Sequence, residues 1–122
     1  MDATVLSAVL TVQALGDYLR SGGSIVSVMA ENPPAGSVDA AIKAALSNWV
    51  AGQAVVYGTR GITVNAVACG RSVQAGYDGL SRTPPSVAAE IARLALFLTT
   101  AAARHITGQT LHVSHGALAQ FA

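Results

Sequence analysis

At 122 residues, the chain has room for one domain with one core, and not for a dinucleotide-binding domain plus a substrate domain. Hydrophobic residues make up 52% and charged residues 11%, against about 25% charged in a typical soluble chain, so more apolar surface is present than a small domain easily hides, and cover by a second copy or another chain is expected. A net charge of +1, with seven Lys and Arg scattered along the chain, excludes the basic field of a nucleic-acid binder.

From Asp2 to Arg20 the apolar positions Val5, Leu6, Val9, Leu10, Val12, Leu15 and Leu19 follow helical spacing, with Asp2 placed to cap the start and Gly22 and Gly23 placed to end the helix. Ser7, Thr11, Gln13 and Asp17 interrupt this stretch, so no apolar run reaches the ~18 residues of a membrane span. Without a basic leading segment or a clear cleavage site, it does not read as a secretory signal either. Ser24 to Met29 is short, β-branched and bounded by glycines and by Pro33-Pro34, which predicts a buried strand. Ser37 is placed to cap a long helix through Ala40, Ala41, Ala44, Ala45, Leu46, Trp49, Val50, Ala54 and Val55, ending near Gly58.

Gly61 to Val67 reads as a second buried strand, followed by a polar, Gly-containing loop from Cys69 to Arg82, where a ligand would be met. Thr83 and Pro84 start a third helix whose apolar face is Ile91, Leu94, Ala95, Phe97 and Leu98. Gln109 to Val113 is the third strand. Helices alternating with strands in this order imply a parallel α/β sheet with right-handed crossovers. The single Cys69 makes no internal disulfide, which fits a reducing cytoplasm.

Three segments carry more than periodicity. "GGSIVSV" resembles the fifth strand of the short-chain dehydrogenase/reductase family, "RGITVNAVACG" its sixth strand and following turn, and "ALFLTTAAARHITGQTLHVSHG" its last helix and strand. They occur in the family's order and at nearly its spacing, closest in character to 3-oxoacyl-ACP reductase-like members. The resemblance implies a partial Rossmann-like layer that begins after the family's fourth strand. The Gly-rich strand-to-helix turn that holds a dinucleotide pyrophosphate on its backbone amides is then absent. Neither Gly-x-Gly-x-x-Gly nor Gly-x-x-x-Gly-x-Gly occurs, and Gly22-Gly23 follows a helix rather than a strand.

The same resemblance locates the family's catalytic positions. Aligning "DAAIKAAL" with Tyr-x-Ala-Ser-Lys-Ala-Ala-Leu puts Asp39 where the acid/base Tyr belongs and retains Lys43, one helical turn on. A carboxyl beside a lysine is ionised at neutral pH and is a poor acid for an alkoxide. The position of the substrate-positioning Ser is Ala30, and the segment from Ala30 to Asp39 is short by several residues. The helix Asn falls near Asp2 or Ala3. After the sixth strand, Cys69-Gly70 stands for the Pro-Gly turn, and Gln74 for the Thr that bonds the nicotinamide amide. The remnant positions implied are therefore Lys43 and Asp39 for catalysis, and Lys43, Gly70 and Gln74 for the cofactor.

Simpler readings stand beside these. Asp39 and Lys43 also form an ordinary i,i+4 ion pair. Cys69 reads as a small buried hydrophobe, and Trp49 as core or interface. His112 and His115, three apart on a strand, point to opposite faces and have no third ligand, so no metal is expected. An exposed Arg71 is ordinarily solvated. The sequence thus predicts a non-catalytic reductase-like subunit acting through homo- or hetero-oligomerisation, with no membrane or nucleic-acid partner and no cofactor for the chain alone. The alternative is an NAD(P)-dependent carbonyl or 3-oxoacyl reductase, active only with a companion chain that brings the nucleotide-binding half. A third reading is a small-molecule binding module using the loop from Cys69 to Arg82, Arg71 and Gln74 among its residues.

Overall fold

The computed structural model of the chain describes residues 3–29, 36–69 and 87–113. Helix α1 (Ala3–Leu15) runs into a single 3-10 turn (Gly16–Tyr18). Strand β1 (Ser24–Met29), helix α2 (Val38–Gly58), strand β2 (Thr63–Cys69), helix α3 (Val87–Leu98), a 3-10 turn (Ala101–Ala103) and strand β3 (Thr110–Val113) follow. The expected caps Asp2, Thr83 and Pro84 lie outside the described residues. Ser37 caps α2 as expected, its Oγ accepting from the Ala40 N–H at 3.1 Å.

The three strands form one parallel sheet in the order β1-β2-β3, with Ser24 opposite Thr63, Met29 opposite Ala68, and Ala68 opposite His112. Side chains alternate across the sheet. Val64, Ala66 and Ala68 face one side with Met29, where Leu46, Val50, Ala54 and Tyr57 of α2 cover them and Ala8, Val9 and Val12 of α1 add a flank. Val67 faces the other side with Leu98 and Ala103, against Ile91 and Leu94 of α3 and Leu111 and Val113 of β3. A central strand covered on both faces is buried throughout, every residue from Ile62 to Ala68 lacking substantial exposure, Thr63 and Asn65 included.

Several expectations shift, the first being that α1 ends at Leu15 and passes into a 3-10 turn rather than running to Arg20. The second strand begins at Thr63 and runs through Cys69, because Gly61 instead forms a turn whose carbonyl accepts from the Gly22 N–H at 2.9 Å. Phe97 is not on the buried face of α3. It is 43% exposed, since the 3.6-residue period puts Ile91, Leu94 and Leu98 on one stripe and Phe97 beside it. On α2, Val55 likewise points outward, while the buried stripe runs Leu46, Val50, Ala54, Tyr57. Trp49 is half-buried and packs against the core.

Asn65 is a polar residue with no exposed surface in the middle of β2. Its Nδ2 donates to the Ile106 carbonyl at 2.9 Å, and its Oδ1 accepts from the Gln109 N–H at 3.1 Å. Around the same segment the Val64 N–H donates to Thr107 Oγ1 at 3.0 Å, and the Gly108 N–H to the Val64 carbonyl at 2.7 Å. These bonds fix the approach to β3, so a strand of only four residues enters the sheet in one register.

Candidate functional site

In a parallel α/β sheet, ligands meet the carboxyl ends of the strands. Here those ends are Met29, Cys69 and Val113. Helix α2 starts on the return from the end of β1, so its first turns lie toward this edge and carry positions 39 and 43 one turn apart.

Lys43 is half-buried on α2. Its charge reaches the imidazole of His112 on β3, which stands in register with Ala68 on the side of the sheet that α1 and α2 cover. Burial first, and then the Lys43 ammonium, hold the His112 pKa below the ordinary imidazole value, because both disfavour a second positive charge there. A lysine and an imidazole whose charging is disfavoured thus share the ligand-facing end of the sheet. Among the described residues this end offers a lysine and a hydrogen-bonding ring, and no tyrosine.

Asp39 occupies the helical position one turn before Lys43, and its side chain lies outside the described residues. Ala30, Gly70, Arg71, Gln74 and His115 also lie outside them, as does the side chain of Cys69. The structure therefore brings together Lys43 and a residue that the sequence pattern did not attach to it. The signal for His112 was present in the strand alternation, since Leu111 and Val113 face α3 and the residue between them must face the side of α2. What the linear pattern did not show is that β3 lies next to β2, two strands from the start of α2.

The Gly22-Gly23 pair sits at the opposite, amino-terminal end of β1. It cannot serve a ligand shared with Lys43. The outer edge of β1 pairs with no strand among the described residues. Beside it runs a groove of about 290 Å3, lined by Ser7, Ala8, Thr11 and Val12 of α1, by residues 25–28 of β1 and by Leu46. Val28 on this strand is 57% exposed.

Comparison with known proteins places these features in context. Residues 1–83 match the family described as Enoyl-(Acyl carrier protein) reductase. A Mycobacterium tuberculosis protein named as an oxidoreductase is 83% identical over 121 residues, which cover 99% of this chain and 54% of that protein. Protein FixR of Bradyrhizobium diazoefficiens is 33% identical over 127 residues, covering 92% of this chain and 46% of that one. Among solved structures, a variant of a Serratia marcescens short-chain dehydrogenase/reductase superposes with a TM-score of 0.75 at 28% identity, over 93% of this chain and 52% of that one. A Burkholderia cenocepacia short-chain dehydrogenase in complex with NADP superposes at 0.72 with 29% identity, over 92% and 52% of the two chains. The chain spans about half the length of the curated relatives it matches.

Proposed function

Because the chain belongs to the short-chain dehydrogenase/reductase family, we propose that it works as a reductase-like half-fold without dehydrogenase activity of its own, assembling with a second copy or with a reductase-like chain. The observation that carries this reading is the outer edge of β1, unpaired among the described residues, and the 290 Å3 groove beside it. An apolar strand edge of six residues is a template for another strand and is ordinarily covered. Outward-facing Leu6 and Leu10 on α1 and Val55 and Val56 on α2 add apolar surface on the helices, which supports assembly through the helical faces as well.

The described residues fit only part of a dinucleotide. Lys43 suits a ribose contact at the carboxyl end of the sheet, but the glycine pair is at the other end and gives no amide cradle for a pyrophosphate beside it. NAD(P) binding is therefore proposed only when a companion supplies the Gly-rich turn.

The test is mass and binding on the purified chain. Light scattering is expected to give a dimer or larger assembly, Val28→Lys is expected to weaken it by charging the β1 edge, and NADPH fluorescence titration is expected to show no binding. A strictly monomeric wild-type chain, or carbonyl reduction by the chain alone, overturns the proposal.

Retention of Lys43 at the ligand-facing edge favours the second reading, an NAD(P)-dependent carbonyl or 3-oxoacyl reductase completed by a companion. It predicts carbonyl reduction once a separately produced nucleotide-binding half is added. Inactivity of that reconstituted pair, recovered only after Asp39→Tyr and Ala30→Ser, sinks this second reading and supports the first.

A further inference from the structure

The amino-terminal end of the sheet holds a second cavity, of about 100 Å3, that the reductase-like reading does not use. It lies between the turn into β1, the turn into β2 and the segment after α3. Gly22, Gly23 and Gly61 line it together with Ser24, Thr63 and Arg104.

The chemistry of this lining is one-sided. Arg104 is exposed, and among the described residues no carboxylate pairs with its guanidinium. Its Nη1 lies over the Gly22 turn, only 3.3 Å from where a Cβ at that position would stand. Gly22 has φ +88°, so the turn itself requires glycine, and the missing side chain leaves the space the guanidinium overhangs. Thr63 Oγ1 donates to Ser24 Oγ at 3.0 Å, which donates to the Leu98 carbonyl at 3.3 Å. That last bond is long, so the Ser24 hydroxyl can turn to an entering oxygen at small cost.

The surroundings reinforce the sign. The loops at this end carry Arg20, Arg60 and Arg104 against the single acidic residue Asp17. Arg60 is committed to structure, donating to the Gly16 carbonyl at 3.0 Å and the Leu19 carbonyl at 2.7 Å, but its charge still adds to the local potential. Size limits the ligand. One water takes roughly 10–15 Å3 of cavity, so the space admits a four-oxygen ion with room to spare and falls well short of the ~300 Å3 of a site for larger molecules.

We propose that this cavity binds a small oxyanion, phosphate or sulfate in size and charge, held by Arg104 above the Gly22-Gly23 turn. Arg presents a planar fork of donors suited to such an ion, and the missing glycine side chain at position 22 leaves room for it beneath the guanidinium. The site lies at the end of the sheet opposite Lys43 and His112, so it acts independently of any dinucleotide.

An amide NMR titration of the full chain with inorganic phosphate, at constant ionic strength balanced with chloride, tests it. Saturable shifts are expected at the Gly22, Gly23, Gly61 and Ala101 amides, with affinity weakened about tenfold by Arg104→Gln, the loss of one charge-assisted hydrogen bond. Arg93→Gln, which removes an exposed arginine on α3, is the control and is expected to leave the titration unchanged. Spectra of Arg104→Gln that match the wild type away from the cavity establish that the variant is folded. Non-saturating shifts, shifts reproduced by chloride, or an unchanged affinity in Arg104→Gln each overturn the proposal.

Discussion

Replacing Asn65 by Ala removes a polar side chain that, with Thr107, joins the middle of β2 to the segment entering β3. Two hydrogen bonds go, to the Ile106 carbonyl and from the Gln109 N–H. Each contributes about 0.5–1.5 kcal/mol net, and a buried group left without a partner costs about 1–3 kcal/mol. The residue has no exposed surface, so water does not simply replace the lost partners. The expected loss is about 2–4 kcal/mol, or a fall in melting temperature of roughly 10 °C for a chain of this size. Urea unfolding followed by circular dichroism gives the free energy, and hydrogen exchange at the Gln109 amide reports the local opening. Asn65→Asp is expected to do no better at neutral pH, because it keeps an acceptor for Gln109 but turns a carboxylate oxygen toward the Ile106 carbonyl. A loss under about 1 kcal/mol, with Gln109 still protected, would refute the view that Asn65 fixes the entry of β3.

Gly16 is buried beneath Tyr57, and a Cβ there would collide with the phenol oxygen. Gly16→Ala is expected to cost about 1–3 kcal/mol, and Tyr57→Phe is expected to relieve part of that cost in the double variant; simple additivity in a double-mutant cycle counts against the contact. His112 predicts a pH dependence of definite sign. Its folded pKa is lowered, so between the ordinary value near 6.5 and that lower value the unfolded chain binds a proton the folded chain does not. Stability contributed by the neutral ring is then fully present above about 6.5 and is lost as pH falls through the window. Thermal melts from neutral to mildly acidic pH are expected to show a shallower decline for His112→Gln, and a His112 imidazole titrating at or above the ordinary value negates the argument. Lys43→Met is expected to raise the His112 pKa in an NMR titration, by removing the charge that adds to the effect of burial.

The parts of the fold legible in the sequence were those set by local chemistry. Strand β1 follows its β-branched run from Ser24 to Met29 without displacement, and α2 begins where the Ser37 hydroxyl can reach the Ala40 N–H. The ends of β2 were less legible, because Gly61 is held in a turn by Gly22, a residue far off in sequence. Orientation around the helices was only half legible. Apolar residues cover most of α1 and α2, so composition does not tell the buried stripe of Leu46, Val50 and Ala54 from outward Val55 and Val56. The candidate site split the same way. Lys43 could be picked out from a linear motif, whereas its electrostatic neighbour His112 depended on the order of strands in space.

The two ends of the sheet separate two kinds of deficit. Under the proposed function, the Gly-rich turn that a dinucleotide needs comes from a companion pairing at the edge of β1 that is open among the described residues. Proton donation is different, because position 39 is on the chain's own helix, one turn before Lys43. At the same end of the sheet, burial first and then the Lys43 ammonium disfavour a charged His112. His112 is thus reluctant to take up a proton that it could pass on. A companion that completes the sheet restores a place for the cofactor without restoring a donor at position 39, unless it carries an active site of its own.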